Sequence, residues 1–238
     1  MERKEIMGRG SSSASNLQES DAKPLGGGGG GGNGQEPITV QPFRPDPATK
    51  EDALGEKGRA IGLVDAMEGA NPFYVGGAEG DFSENCQRAV VAYEARRRGY
   101  DVIAQPTYPG DTLPSGGTWM NAFEGAKIDH VGESTPKKTQ TNLEAKMHEY
   151  GNGSRCIVSI PGHVFNAENV NGKIRYIDAQ TNTVYNSKNV FSRLGRKSSE
   201  VSILRTDKLN FSDDIKKSVT PVTETMKRIK RTKNRKRK

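Results

Sequence analysis

The sequence predicts an α+β domain in which helices come first and an antiparallel sheet follows. Three observations carry that expectation. A helix-like stretch opens after Asn85 and stops at Gly99, and a second spans Thr139 to Glu149. From residue 155 onward the pattern turns to short apolar runs at 155–160, 163–170 and 173–178. The last two runs are joined by Asn171-Gly172, the strongest short hairpin signal a sequence offers.

In chain order, residues 1–58 read as a disordered or low-complexity region. They hold a serine cluster, seven consecutive glycines from Gly26 to Gly32, and a proline-punctuated extended stretch. The glycine run is not a phosphate loop: no Gly-Lys-Ser/Thr step follows it and nothing strand-like precedes it, so it reads as a flexible linker. A short helical patch is expected from Arg59 to Met67, packed at the domain edge. The domain proper is expected over 71–211, opening at Asn71-Pro72-Phe73-Tyr74. That length is ordinary for one core.

Asn85 is expected to cap the first main helix, with Ala89, Val90, Ala92 and Tyr93 as its buried face. Arg96, Arg97 and Arg98 fall in its last turn, where cations suit the helix dipole, before the stop at Gly99. A strand over Tyr100–Ala104 follows, then a Pro/Gly-rich loop over 106–117 and a short helix around Trp119–Phe123. The final strand is expected over Glu200–Arg205. Residues 212–238 read as a basic tail.

Charge belongs to the ends. Residues 227–238 carry nine Lys or Arg and no acid, and subtracting these nine from the net charge of +7 leaves −2 for the remainder. Such a run is a self-repelling arm that could also touch nucleic acid through counterion release. Two cysteines with no CxxC spacing exclude a disulfide scaffold and a zinc knuckle. Cys156, inside an apolar run, fits a small buried hydrophobe. No stretch is apolar enough to span a membrane, and Met1-Glu2-Arg3-Lys4-Glu5 leads into no hydrophobic signal segment, so neither a transmembrane span nor a secretory signal is expected. No metal or organic cofactor is implied.

The chemistry concentrates on three residues in a fixed order. Cys86 opens a helix, His163 stands in Pro161-Gly162-His163-Val164-Phe165-Asn166, and Asp178 stands in Tyr176-Ile177-Asp178-Ala179-Gln180. A thiol attacks acyl carbons as thiolate, which the positive end of a helix and a neighbouring imidazolium both favour. Unpaired N–H groups at the same helix end can hold a developing oxyanion. His163 would take the thiol proton and return it to the leaving group, with Asp178 orienting the imidazole. With a two-residue turn at Asn171-Gly172, Val170 faces Lys173, and His163 and Asp178 fall on one face as diagonal neighbours. Gln180 has two readings: a donor to the oxyanion, or a fastening for the Asp178 loop. His130 and His148 lie in polar stretches and are not expected in the site.

At these residues the chain resembles a known family. Asn85-Cys86-Gln87-Arg88-Ala89-Val90-Val91-Ala92-Tyr93, then Gly162-His163-Val164-Phe165-Asn166, then Ile177-Asp178-Ala179-Gln180-Thr181 are similar to the papain-fold toxin domain of polymorphic-toxin systems, found also in phage and prophage minor head proteins. The resemblance departs at Ala179, where proline is expected, and at Ala89, where cysteine is common. It implies a papain-like cysteine-hydrolase fold and protein-glutamine deamidase-like or peptidase-like chemistry. It assigns Cys86 as nucleophile, His163 as base and Asp178 as its orienter.

The leading expectation is therefore a thiol amidohydrolase acting on a glutamine or peptide amide of a protein substrate. It would work in the bacterial cytoplasm or a phage virion, or as an effector delivered to a target cell. A cysteine peptidase or isopeptidase of the same fold is one alternative. A non-catalytic minor head protein contacting phage head proteins, with its basic tail on nucleic acid, is the other.

Overall fold

The computed structural model describes residues 47–74, 82–107, 118–185, 187–192 and 194–223. The glycine run, the Pro/Gly-rich loop over 108–117 and the basic run 227–238 lie outside the described residues.

Among the described residues, six strands form one antiparallel sheet. They are β2 (Ile128–His130), β3 (Arg155–Ile160), β4 (His163–Val170), β5 (Lys173–Asp178), β6 (Thr183–Tyr185) and β7 (Ser202–Arg205), in the order β2-β7-β3-β4-β5-β6. A separate two-stranded ribbon pairs β1 (Val102–Ala104) with β8 (Val219–Pro221). The helices are α1 (Lys50–Leu54), α2 (Leu63–Ala70), α3 (Cys86–Arg97), α4 (Thr118–Asn121), α5 (Pro136–Tyr150) and α6 (Ser187–Ser192).

Both sheet faces are covered. Ile157, Val164, Ile177 and Leu204 share a core with α2, α3, Trp119 and Phe123. Their neighbours of opposite parity, Val158, Phe165, Tyr176 and Ile203, share a second core with Leu143 and Met147 of α5 and Phe191 of α6. Alternate side chains thus bury on opposite faces, which is why β4 is buried from His163 through Asn169 instead of alternating with water.

The hairpin expectation holds in detail. Asn171 and Gly172 both take positive φ, 53° and 77°, the backbone a two-residue primed turn requires. That fixes Val170 against Lys173 and, four pairs on, Asn166 against Ile177. The preceding turn, Pro161-Gly162, closes Ile160 against His163, with Gly162 at φ 81°. Proline then glycine is the type II pattern, and it sets His163 as the first residue of β4.

α3 is the central helix, and its burial is wider than its pattern suggests: every residue from Ala89 to Arg96 is buried. The arginines expected to serve the dipole are engaged in ion pairs instead. Glu94, fully buried, accepts from Arg98 Nε at 2.7 Å and Arg155 Nε at 2.8 Å. Glu168 of β4 accepts from Tyr93 Oη at 2.7 Å and Arg97 Nε at 2.6 Å. These pairs bolt α3 to β3 and β4. Removing one partner of such a buried pair strands a charge and costs about 3–5 kcal/mol.

The domain limits are wider than expected. α1 lies inside the stretch read as disordered, yet Ala53 and Leu54 are in the core. Five residues are too few to show a helical period. The helical patch expected over 59–67 is found at Leu63–Ala70. Residues read as the start of the basic tail also fold: Asp213–Lys217 forms a 3-10 helix burying Ile215, and Val219–Pro221 is β8. β2 and β6 were not expected, being three residues each. Among the described residues, no helix is long and apolar enough to cross a membrane.

Candidate active site

The site forms where the N-terminus of α3 meets the end of the sheet at β4 and β5. Asn85 occupies the N-cap position but does not cap: its side chain makes no hydrogen bond to the first turn. The sequence-based reading of Asn85 as the cap is therefore corrected. Its carbonyl accepts from Arg88 N and Ala89 N, each at 2.9 Å. The N–H groups of Cys86 and Gln87 then have no acceptor within the helix, as at any helix start without a side-chain cap.

The Asn85 side chain instead faces inward. It exchanges two hydrogen bonds with Asn71, each at 3.1 Å, and donates to Gln105 O at 3.1 Å. Asn71 Nδ2 also donates to Phe82 O at 3.0 Å and Gln180 O at 2.9 Å. The Gln180 side-chain amide donates to Ser83 O. Asn71 and Asn85 are fully buried, so these amides need one another. The network clamps the residues before Cys86 to the turn after Asp178.

His163 and Asp178 meet directly. Nε2 of His163 lies 2.9 Å from Oδ2 of Asp178, and both side chains are almost wholly buried. Cys86 acts on the same imidazole and helps to raise its pKa. Asp178 is held on every side. Oδ1 accepts from the backbone N–H groups of Gln180 at 3.0 Å and Thr181 at 3.3 Å. Oδ2 accepts from Tyr185 Oη at 3.1 Å as well as facing His163.

The electrostatics follow. Burial alone would depress the His163 pKa, but the Asp178 carboxylate and Cys86 overcome it and raise it well above the ordinary value. Burial would raise Asp178, yet the imidazole, the Thr181 N–H and the Tyr185 phenol hold it below the usual carboxylate value. Buried together, the pair favours imidazolium beside carboxylate.

Of the four residues singled out from sequence, Cys86, His163 and Asp178 come together. Gln180 lies beside them, and its side-chain amide donates to Ser83 O, a contact that ties the Asp178 turn to the residues before Cys86. Cys156 is fully buried on β3, where burial pushes its thiol up. His130 and His148 are exposed and away from the site. Sequence reasoning missed Asn71, Gln105 and Tyr185. Asn71 was visible only as a domain boundary, and Tyr185 sits on an unexpected strand.

Residues 84–183 match the family model described as papain fold toxin 1, glutamine deamidase. That span holds Cys86, His163, Asp178 and Gln180. No curated protein and no solved structure matches the chain. The segment is a papain-fold toxin domain, and its helices followed by an antiparallel sheet are the α+β layout of that fold.

Proposed function

We propose that this papain-fold domain is a cysteine-dependent protein-glutamine deamidase, with Cys86 as nucleophile, His163 as general base and acid, and Asp178 as the group that orients and charges the imidazole. The observation that carries the reading is the buried His163–Asp178 pair, Nε2 to Oδ2 at 2.9 Å, with Cys86 acting on the same imidazole.

The chemistry runs in two halves. The Cys86 thiolate attacks the side-chain carboxamide carbon, and a C–S bond forms as the carbonyl becomes an oxyanion. The N–H groups of Cys86 and Gln87 at the uncapped helix start are the donors placed for that charge; one such donor is often worth about 3 kcal/mol. The C–N bond then breaks while His163 gives its proton to the nitrogen, releasing ammonia and leaving a thioester. Water enters, gives a proton to His163 and attacks the same carbon. The C–S bond breaks, the substrate leaves as glutamate and the thiolate is restored.

The leaving group separates this reading from peptidase chemistry, and the family description favours ammonia. Intact-mass analysis of candidate protein substrates decides it. Deamidation gives the mass change of NH2 replaced by OH, together with free ammonia, and Cys86→Ala gives neither. A severed chain would replace the deamidase reading with a peptidase one. No modification by the wild-type chain across substrates that carry exposed glutamines would remove the enzyme reading.

A further inference from the structure

We propose that Tyr185 is a positioning residue of this site: its phenol donates to the same Asp178 oxygen that His163 engages and so sets how much carboxylate charge reaches the imidazole. The inference rests on the proposed roles of His163 and Asp178.

The geometry separates the two carboxylate oxygens by task. Oδ1 is held by two backbone N–H groups of the turn, which fix the orientation of the carboxyl. Oδ2 carries the functional contact, and it is shared between His163 Nε2 at 2.9 Å and Tyr185 Oη at 3.1 Å. A phenol that only needed an acceptor would leave this balance untouched if removed. One that shares Oδ2 draws electron density from it and weakens its pull on the imidazolium.

Tyr185 is built to stay a donor. β6 places it opposite Tyr176, with its ring packed at the edge of the second core. Burial and the adjacent Asp178 raise its pKa, while the nearby Thr181 side chain works the other way. The phenol therefore remains protonated, with its one O–H available to Oδ2. Among the described residues, the titratable groups around the imidazole are Cys86 from α3 and Asp178 from β5, with Tyr185 from β6 behind Asp178 and Tyr74 beside Tyr185.

Two effects of Tyr185→Phe follow, with the ring packing retained. The carboxylate, relieved of one donor, holds the imidazolium more strongly, so the His163 midpoint rises. Asp178 loses one of its restraints, so turnover falls several-fold. Asp178→Asn moves the midpoint the opposite way. NMR titration of the His163 ring in the full-length chain reads this directly, with His130 and His148 as internal controls.

The expected result is an upward shift in Tyr185→Phe, a downward shift in Asp178→Asn and an alkaline activity limb that follows each. An unmoved midpoint in Tyr185→Phe beside a shifted one in Asp178→Asn overturns the role of Tyr185 alone. Unmoved midpoints in both overturn the His163–Asp178 couple and the proposed function with it. Should Tyr185→Phe fail to fold, 3-fluorotyrosine placed at position 185 supplies a stronger donor. It is expected to lower the midpoint, and no change there overturns the inference equally.

Discussion

At the scale of single residues, the site depends on a buried charge balance that two substitutions expose. Cys86 is half-buried at the edge of the first core, so Cys86→Ala is expected to abolish deamidation while changing stability by about 1 kcal/mol or less. Urea denaturation checks this, and a loss of several kcal/mol would mark the residue as packing. Asp178→Asn is expected to move the alkaline limb of turnover to lower pH, because the imidazolium loses its carboxylate. Its stability effect has a defined window. The raised His163 pKa contributes stability fully present below the ordinary histidine value and lost as pH rises through the raised one. The lowered Asp178 pKa contributes stability present above the ordinary carboxyl value and lost as pH falls through the lowered one. The gap in melting temperature between wild type and Asp178→Asn should therefore be widest in mildly acidic solution, between the ordinary carboxyl and histidine values, and shrink toward both extremes. The order of Cys86, His163 and Asp178 and the helix start, strand and strand end that carry them were legible because chain order and element type are sequence properties. Asn71 and Tyr185 were not, since a buried polar side chain and an exposed one look alike until tertiary contacts are known.

At the scale of elements, the amide network ties the segment before Cys86 to the turn after Asp178. Asn71 closes α2, faces Asn85 before α3 and holds Gln180 O beyond β5. Asn71→Ala would leave buried acceptors without donors, at about 1–3 kcal/mol. It should also slow alkylation of Cys86, because the helix start and the Asp178 turn are no longer clamped together. Denaturation and thiol-modification rates measured on the same variant would show whether both fall. Long elements with clear boundaries were readable: α3, α5 and the three-strand run β3-β4-β5 are delimited by their glycine and turn residues, although α3 and β4 are buried beyond their patterns. Asn171-Gly172 even gave the register correctly. The Asn85 cap failed for a physical reason. An asparagine before a helix is a capping signal only when its side chain is free to turn back, and here Asn71 and Gln105 O engage it. β2, β6 and β8 escaped because three residues carry no detectable alternation.

At the scale of the whole molecule, the folded unit reaches beyond the 71–211 limits read from composition. Ala53, Leu54, Ile215 and Val219 all join the first core, and Gln105 Nε2 donates to Lys216 O at 2.8 Å and Val219 O at 3.1 Å. Gln105 O in turn receives Asn85, so the C-terminal ribbon supports the residue beside Cys86. A chain spanning 59–211 should melt well below one spanning 47–223, because it loses buried apolar side chains from α1 and β8 and strands the Gln105 amide. Equal melting temperatures would show that the outer segments only decorate the domain. The central claim is that Cys86 and His163 act as one chemical unit, and the alkylation rate of Cys86 by iodoacetamide tests it most directly. Cys156 is fully buried on β3, so the fast phase reports Cys86. The account predicts that Cys86 reacts faster at neutral pH than free cysteine and that His163→Ala removes the excess. A rate no faster than free cysteine, unchanged by His163→Ala, would contradict it.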